Sequence, residues 1–260
     1  MTLANGDEVR ARLVIAADGR RSVLRDAAQL PCRDLGAPID GYWFRVAKAR
    51  TPDNRTEGYI DRGQMVIAID RGDYFQCARV IPKGSAEAIR AKGIDRFRRD
   101  VAAVAPILAE GIATLASFDD VKLLSVTLDR LTRWHAPGLL AIGDAAHAMS
   151  PVGGVGINLA IQDAVAAANL LAEPMQRGAR LDGLCAAVQR RRMFPVRIVQ
   201  ALQHIVHVRV IGRALRVGSP RPPLLMRFFD RVPLLRRIPA RILGLGVRRE
   251  HISSPRTPSR

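Results

Sequence analysis

The segment from Gly138 to Ala164, GLLAIGDAAHAMSPVGGVGINLAIQDA, constrains the fold of this chain more than any other. It opens with a continuous apolar run, which is typical of strands buried on both faces. Gly143-Asp144 and a loop rich in glycine and proline follow, and helical periodicity begins at Ile157. Strand, acidic turn, glycine-rich loop and helix in this order predict a ligand bound at the carboxyl end of a strand.

The residue types in this segment indicate the chemistry of the ligand. A carboxylate at the position of Asp144 can accept hydrogen bonds from the hydroxyls of a ribose or ribityl chain. Gly153, Gly154 and Gly156 let the backbone approach a ligand closely where the helix begins. Free N–H groups at a helix N-terminus favour partial negative charge, such as that of a phosphate or of the N1–C2=O edge of a flavin.

A second apolar run, LVIAA at residues 13–17, precedes Asp18-Gly19 and the basic start of a helix at residues 20–30. Asn5-Gly6 upstream is a hairpin signal between residues 2–4 and 9–17. Only LVIAA and LLAI, residues 139–142, have the pattern of a parallel sheet covered on both faces. Parallel strands need neighbours joined by crossover helices, and the chain does not supply them. We therefore expect part of the sheet to be missing from the chain.

The remaining segments alternate between strand and helix patterns. Short antiparallel strands are predicted at Tyr42–Ala47, Gly58–Ile60, Met65–Asp70, Tyr74–Ile81 and Val121–Leu128. Helices are predicted at Ala86–Ala116 with a break near Pro106, at Ile157–Leu171, and at Leu181–Leu215 as one or two helices.

The two loop motifs together carry a family resemblance. LLAIGDAAHAMSPVGGVGINLAIQDA resembles the second FAD-binding motif of the class A flavin monooxygenases, the para-hydroxybenzoate hydroxylase-like family, and LVIAADGRRSVLR resembles the same family's Asp-Gly motif. Their order, with a strand-rich segment between them, matches the family. The resemblance implies an NAD(P)H-dependent, FAD-containing monooxygenase of a small organic substrate, aromatic or polyketide-like. A reductase or halogenase relative stays open, because the motifs specify FAD and not the substrate.

The resemblance also assigns cofactor-binding residues but no catalytic residue. Asp144 would bind the ribose or ribityl region, and residues 156–158 would present backbone N–H groups to the flavin. Asp18 and Gly19 would help to hold the dinucleotide region, with Arg25 in support; Arg20 and Arg21 are equally well explained as solvated helix residues. The complete set of implied FAD-binding residues is Asp18, Gly19, Arg25, Gly143, Asp144, Pro151, Gly154, Gly156, Ile157 and Asn158.

The fold class implied is α+β: an incomplete Rossmann-type FAD domain, an antiparallel-sheet substrate domain and C-terminal helices. We assign residues 1–35 and 131–176 to the FAD domain, 36–130 to the substrate domain and 177–260 to a basic helical region. The family's G-x-G-x-x-G turn, which cradles the FAD pyrophosphate, does not occur in the 260 residues. The alternative is thus an inactive fragment, or a partial FAD-binding module without catalysis of its own.

Several other residues invite a functional interpretation. For His147 we favour packing or hydrogen bonding over catalysis, and for His204 and His207 a surface helix face over metal binding. Aromatic residues of the middle segment fit either a substrate pocket or a sheet core: Trp43, Phe44, Tyr59, Tyr74 and Phe75.

Charge and cysteine content limit which partners, metal sites, disulfides and cellular location the sequence allows. Of the net charge of +17, nearly all lies from Arg177 to the end of the sequence, where there are 19 arginines and three acidic residues, Asp182, Asp230 and Glu250. An anionic membrane surface is one reading of this region and arginine-rich composition another; no nucleic-acid motif accompanies the charge. Three scattered cysteines and an N-terminus without an apolar core favour the cytoplasm, with no disulfide and no metal site.

Overall fold

The structure is a computed structural model that describes residues 2, 4–48, 55–216, 241 and 246–253. The chain divides into two compact units. Unit 1 comprises residues 1–36, 127–202 and 232–260, and unit 2 comprises residues 37–126 and 203–231. None of the helices in the described residues combines the length and the hydropathy that a membrane span requires.

Ten strands are present in the described residues. In chain order they are β1 (Val14–Ala16), β2 (Cys32–Asp34), β3 (Ile39–Ala47), β4 (Thr56–Asp61), β5 (Gln64–Asp70), β6 (Tyr74–Pro82), β7 (Lys122–Leu124), β8 (Asp129–Leu131), β9 (His135–Ala136) and β10 (Leu139–Ala141).

The described helices are α1 (Val23–Ala27), α2 (Ala86–Arg90), α3 (Ile94–Val104), α4 (Gly156–Gln176), α5 (Asp182–Ile205) and α6 (Gly212–Arg216). A π-helical stretch, Val206–Ile211, separates α5 from α6, and 3₁₀ turns lie at Pro106–Leu108, Ile112–Thr114, Phe118–Asp120 and Gly143–Ala145.

Unit 1 is built around the two apolar runs of the sequence. β1 pairs in parallel with β10, which pairs antiparallel with β9 on its other side. Parallel pairing of β1 with β10 agrees with the sequence, but β1 is not buried on both faces: the Ile15 side chain is 45% exposed. The reason is that β1 is an edge strand among the described strands of this sheet, with β10 as its one neighbour.

Helix α4 and most of helix α5 belong to unit 1 together with this sheet. The apolar face of α4 buries Leu159, Ala166 and Leu171. Trp134, in the loop between β8 and β9, is fully buried, and its Nε1–H donates to the Leu131 carbonyl oxygen at 3.2 Å. Such a bond is expected, because a buried indole N–H without an acceptor is costly.

Unit 2 contains a five-stranded antiparallel sheet in the order β4-β5-β6-β3-β7. Arg62 and Gly63 both have positive φ angles, 50° and 73°, and form the two-residue turn that joins β4 to β5. α3 packs on the sheet through Phe97, which is 1% exposed and lies 5.7 Å and 5.3 Å, ring centroid to centroid, from Tyr42 and Phe44. Aromatic packing of this kind fills the core of the unit.

The five aromatic residues of the middle segment, which fit either a substrate pocket or a sheet core by sequence, differ in their burial. Phe44 and Phe75 are core residues of unit 2. Trp43, Tyr59 and Tyr74 are half-buried. Burial raises the pKa of Tyr59 to about 12, together with the hydrogen bond and charge of Glu57.

Some predicted elements are wrong in extent. Among the described residues at the start of the chain, the predicted hairpin is represented by one bridge, between Thr2 and Glu8. The strand expected at Val121–Leu128 covers only β7, and the chain re-enters a strand at β8, opposite β2. Strand length there is limited by the available partners, which periodicity does not reveal.

The prediction of a surface face for His204 and His207 is wrong for one of the two. His207 is fully buried, and burial lowers its pKa, with the His204 charge adding to the effect. The π-helical geometry from Val206 shifts the side-chain phase away from the 3.6-residue period on which the prediction rested.

The three cysteines are free and differ in exposure, which makes thiol labelling a test of the fold. Cys32 is exposed, whereas Cys77 and Cys185 are buried, and burial raises the pKa of Cys77 to about 12. We expect Ellman's reagent to modify one thiol in the folded protein and three after denaturation, because a buried thiol reacts only when the structure opens. Cys32→Ser should leave no rapidly reacting thiol; rapid modification of that variant would contradict the described core.

Candidate functional site

Parallel pairing of β1 with β10 brings two distant loops to the same sheet edge. Ala16 is in register with Ala141, and the Ile142 N–H donates to the Ala16 carbonyl oxygen at 3.0 Å. Both strands therefore end together, and the loops that follow them, Asp18-Gly19 and Gly143-Asp144, lie side by side. This is the position at which open α/β sheets bind ligands.

A cavity of about 700 Å³ opens at this edge, a size typical of small-molecule sites. Seven of the residues implied by the sequence line it: Gly19, Gly143, Asp144, Pro151, Gly154, Gly156 and Ile157. Its other walls are Ala17, Arg20, Ile142, Met149, Ser150, Ala160, Ile161 and Ala164.

Asp144 supplies the cavity with a carboxylate. Its Oδ2 accepts a hydrogen bond from Arg20 Nε at 3.2 Å, and both side chains are 33% exposed. Oδ1 lies 3.9 Å from the place that a Cβ on Gly156 would occupy. The carboxylate is thus aligned by Arg20 between the acidic turn and the start of α4.

The N-terminus of α4 is open toward the cavity. The helix runs for 21 residues, and its N-cap, Val155, makes no side-chain capping bond. A Cβ on Gly156 would lie only 3.3 Å from Met149 Cβ, so glycine permits the close packing at this point. The N–H groups at the helix start and the helix dipole give this wall a partial positive charge.

Two large apolar side chains of α4 give the cavity a hydrophobic wall beside these polar groups. Ile157 and Ile161, one turn apart on α4, are 68% and 56% exposed and both line the cavity. Adjacent exposed isoleucines on a cavity wall are typical of a surface that an apolar ligand covers.

Gly143 is required at the acidic turn on two grounds. Its φ is +58°, and a Cβ there would lie 3.0 Å from Ala160 Cβ. A side chain would strain the backbone and displace α4.

Three implied residues lie outside the described lining of the cavity. Asp18 caps α1: Leu24 N–H donates to its Oδ2 at 3.3 Å, and although burial would raise its pKa, hydrogen bonds from Ser22 and Leu24 lower it. Arg25 lies 3.7 Å from Asp129. Asn158 is half-buried in the first turn of α4.

The arginine that reaches Asp144 is Arg20. The sequence favours Arg25, which matches the family motif, and it explains Arg20 equally well by a supporting role or by a solvated helix position. The structure places Arg20 just before α1, in the loop at the sheet edge, where its side chain reaches the cavity.

A buried cluster behind the acidic turn was missed from the sequence. Asp163 is fully buried and accepts hydrogen bonds from Gly143 N–H at 3.1 Å, His147 Nε2 at 2.5 Å and Arg192 Nε at 2.8 Å. Burial alone would raise the pKa of Asp163, but interactions with His147 and Arg192 outweigh burial and lower it. A charged residue on the apolar face of a predicted helix was the available signal.

His147 has the packing and hydrogen-bonding role predicted for it. It is fully buried, with its ring centroid 5.1 Å from that of Trp134. Nε2 must carry the hydrogen in its bond to Asp163, because an ionised carboxylate can only accept.

Comparison with known proteins decides the family. Residues 2–202 match the model of the family described as FAD binding domain. The chain belongs to the FAD binding domain family. This FAD binding domain protein is 33% identical over 242 residues to 6-methylpretetramide 4-monooxygenase of Streptomyces rimosus, with 92% of its own length covered. It is 29% identical over 189 residues to ubiquinone hydroxylase UbiL of Rhodospirillum rubrum, with 68% covered.

Solved structures agree on the fold. The crystal structure of PqsL, a probable FAD-dependent monooxygenase from Pseudomonas aeruginosa, superposes with a TM-score of 0.69 at 25% identity, over 83% of this chain and 61% of that one. The α+β fold of an FAD-binding monooxygenase is therefore confirmed. The FAD binding domain protein spans about half the length of its curated relatives: 57% of the Streptomyces enzyme and 41% of UbiL.

The residues present fit one part of FAD. A carboxylate at a strand end, a helix N-terminus and an apolar wall suit the ribityl chain and the flavin ring. The pyrophosphate would need a G-x-G-x-x-G turn, which is not in the 260 residues of this FAD binding domain protein.

Proposed function

We propose that this chain is the flavin-facing part of an FAD-dependent, NAD(P)H-consuming monooxygenase. One observation carries the proposal: the carboxylate of Asp144, the N-terminus of α4 and the apolar side chains of Ile157 and Ile161 face one cavity of about 700 Å³. A ligand with hydroxyls, a polar edge and a flat apolar surface satisfies all three kinds of wall at once. FAD has those three parts.

Each group of the site has a defined role in this proposal. FAD, when bound, supplies the redox chemistry, accepting electrons from NAD(P)H and passing them to oxygen. Asp144 accepts hydrogen bonds from ribityl or ribose hydroxyls, and Arg20 holds that carboxylate in place. The N–H groups at Gly156, Ile157 and Asn158 stabilise negative charge at the flavin edge. Ile157 and Ile161 cover the ring and exclude water.

For the substrate we propose a small organic molecule, aromatic or polyketide-like. Relatives in support are 6-methylpretetramide 4-monooxygenase, protoasukamycin 4-monooxygenase of Streptomyces nodosus and kynurenine 3-monooxygenase of Stenotrophomonas maltophilia. All three names denote monooxygenases, which supports the reaction class more firmly than any one substrate.

The FAD site is tested by titrating the purified full chain with FAD and monitoring the quenching of flavin fluorescence. Asp144→Asn should weaken binding about ten-fold or more, because hydrogen bonds to a charged acceptor contribute roughly 1.5–3 kcal/mol. Asp26→Asn is the matched control, since Asp26 is on α1, outside the cavity, with its side chain 70% exposed. Equal affinities for Asp144→Asn and the unchanged chain would refute the assignment.

A second candidate is a partial module that binds FAD without turnover. It is favoured by the coverage of 57% of the Streptomyces relative and by the missing G-x-G-x-x-G turn. NADPH and NADH oxidation by the chain in excess FAD separates the two: FAD-dependent oxidation supports the monooxygenase, and FAD binding without oxidation supports the module.

Membrane-surface binding through the basic C-terminal region is the weakest of the candidate roles. Much of the region lies outside the described residues. Within the described part, Arg177, Arg191 and Arg192 pair with Glu173, Glu250 and Asp163. Arginines that are already paired contribute little to attraction toward anionic lipid.

A further inference from the structure

The buried cluster behind the acidic turn joins three parts of unit 1. Asp163 belongs to α4 and Arg192 to α5, whereas Gly143 begins the 3₁₀ turn after β10 and His147 lies two residues beyond that turn. Asp163 and Arg192 are both fully buried. Because one carboxylate accepts from all three partners, the position of the Gly143 N–H depends on where Asp163 is held.

Arg192 continues the connection toward the end of the chain. Its Nη1 donates to the Arg248 carbonyl oxygen at 3.1 Å and lies 3.5 Å from Glu250 Oε1. Glu250 is 1% exposed at its side chain and accepts from Arg191 Nε at 2.7 Å and 2.9 Å, one bond to each oxygen. Two carboxylates and two arginines thus form one charge-balanced network, of the kind that tolerates burial.

Residues 246–253, here called the C-terminal segment, are also attached to α4. Asn169 Nδ2 donates to the His251 carbonyl oxygen at 2.7 Å, and Asn169 Oδ1 accepts from Ser253 N–H at 2.8 Å. Gly246 has a φ of +82°, and a Cβ there would lie 3.0 Å from Gln162 Nε2, beside Asp163 in sequence. The segment lies beyond residues 2–202, which match the family.

We propose that the C-terminal segment positions the acidic turn at Gly143-Asp144. Glu250, Arg192 and Asp163 act in series on the Gly143 N–H. These three are positioning residues: none of them lines the cavity, and each acts through the next. Glu250 holds Arg192 against Asp163, Asp163 holds the turn, and the turn sets the direction of the Asp144 carboxylate. The link to FAD rests on the proposed function, whereas the link to Gly143 does not.

The test compares Glu250→Gln with the unchanged full chain by two measurements. Glutamine keeps the shape of the side chain and removes the charge that holds Arg192. We expect the Gly143 amide to exchange with deuterium about ten-fold faster, because its bond to Asp163 opens more often. FAD affinity, measured by fluorescence quenching, should fall about five-fold or more.

Arg249→Gln is the matched control, because Arg249 is the exposed neighbour of Glu250 and the change also alters one charge. Neither measurement should move. Asn169→Ala provides a second route, since it detaches the same segment without touching the ion network. It should change both measurements in the same direction as Glu250→Gln.

The outcomes separate this proposal from the proposed function. Unchanged Gly143 exchange in both Glu250→Gln and Asn169→Ala would overturn the positioning role, whether or not the chain binds FAD. Faster exchange with unchanged FAD affinity would overturn the link to the cofactor. An unchanged chain that binds no FAD would refute the proposed function, while the exchange measurement would still decide the coupling to Gly143.

Discussion

Arg192→Met should destabilise unit 1 by about 3–5 kcal/mol, because it breaks an ion pair whose two side chains are fully buried. Methionine fills a comparable volume, but it leaves Asp163 fully buried with its cationic partner removed. A buried carboxylate deprived of its arginine loses both charge compensation and a hydrogen bond. The measurement is urea unfolding followed by the fluorescence of Trp134, with Trp43→Phe as background so that one tryptophan reports.

An exposed arginine of unit 1 offers a matched control. Arg177 pairs with Glu173, and their side chains are 73% and 55% exposed, so Arg177→Met should cost about 1 kcal/mol or less. Equal losses for the two methionine variants would show that burial of Asp163 is not what makes Arg192 important.

Phe97→Ala should destabilise unit 2 by about 3–5 kcal/mol. Phe97 is 1% exposed and packs edge to face on two aromatic rings of the sheet, and the guanidinium of Arg79 lies 5.1 Å from its ring centroid. The substitution leaves a cavity and removes the face on which the guanidinium rests. Urea unfolding followed by Trp43 fluorescence, in a Trp134→Phe background, measures the loss.

Two further variants divide this effect into its parts. Phe194→Ala removes the same side chain from a position of unit 1 that is 57% exposed. Measured through Trp134 in a Trp43→Phe background, it should change the free energy of unfolding by less than about 1 kcal/mol. Phe97→Leu restores most of the volume without the aromatic ring and should fall between the unchanged chain and Phe97→Ala. A loss from Phe97→Leu as large as that from Phe97→Ala would mean that ring contacts, and not volume, hold α3 to the sheet.

The sequence brought out residues of one cavity wall because their composition is unusual, and their role toward a ligand stays a prediction. Glycine at three nearby positions and an aspartate after an apolar strand are unusual enough to locate the cavity wall from Gly143 to Ile157. It also predicted that LVIAA and LLAI belong to one parallel sheet, since buried parallel strands have a distinctive continuous hydrophobicity.

What the sequence did not reveal are contacts between residues far apart in the chain. Arg20 and Asp144 are 124 positions apart, and Arg191 and Glu250 are 59 apart. Arginine is so common in this chain, at 37 of 260 residues, that no single arginine is distinctive by pattern. Edge exposure of Ile15 and burial of His207 depend on neighbouring strands and on a π-helical stretch, neither of which leaves a periodic signal.

Pairing of β1 with β10 has a consequence for the order of folding. Val14 meets Leu139 only after the chain between them, including all five strands of the unit 2 sheet, has left the ribosome. That sheet is formed by residues 39–124, with hairpin contacts that close locally, so it can fold first. The edge that carries Asp18 and Asp144 is therefore assembled late in synthesis, and its formation is governed by closure of one very long loop.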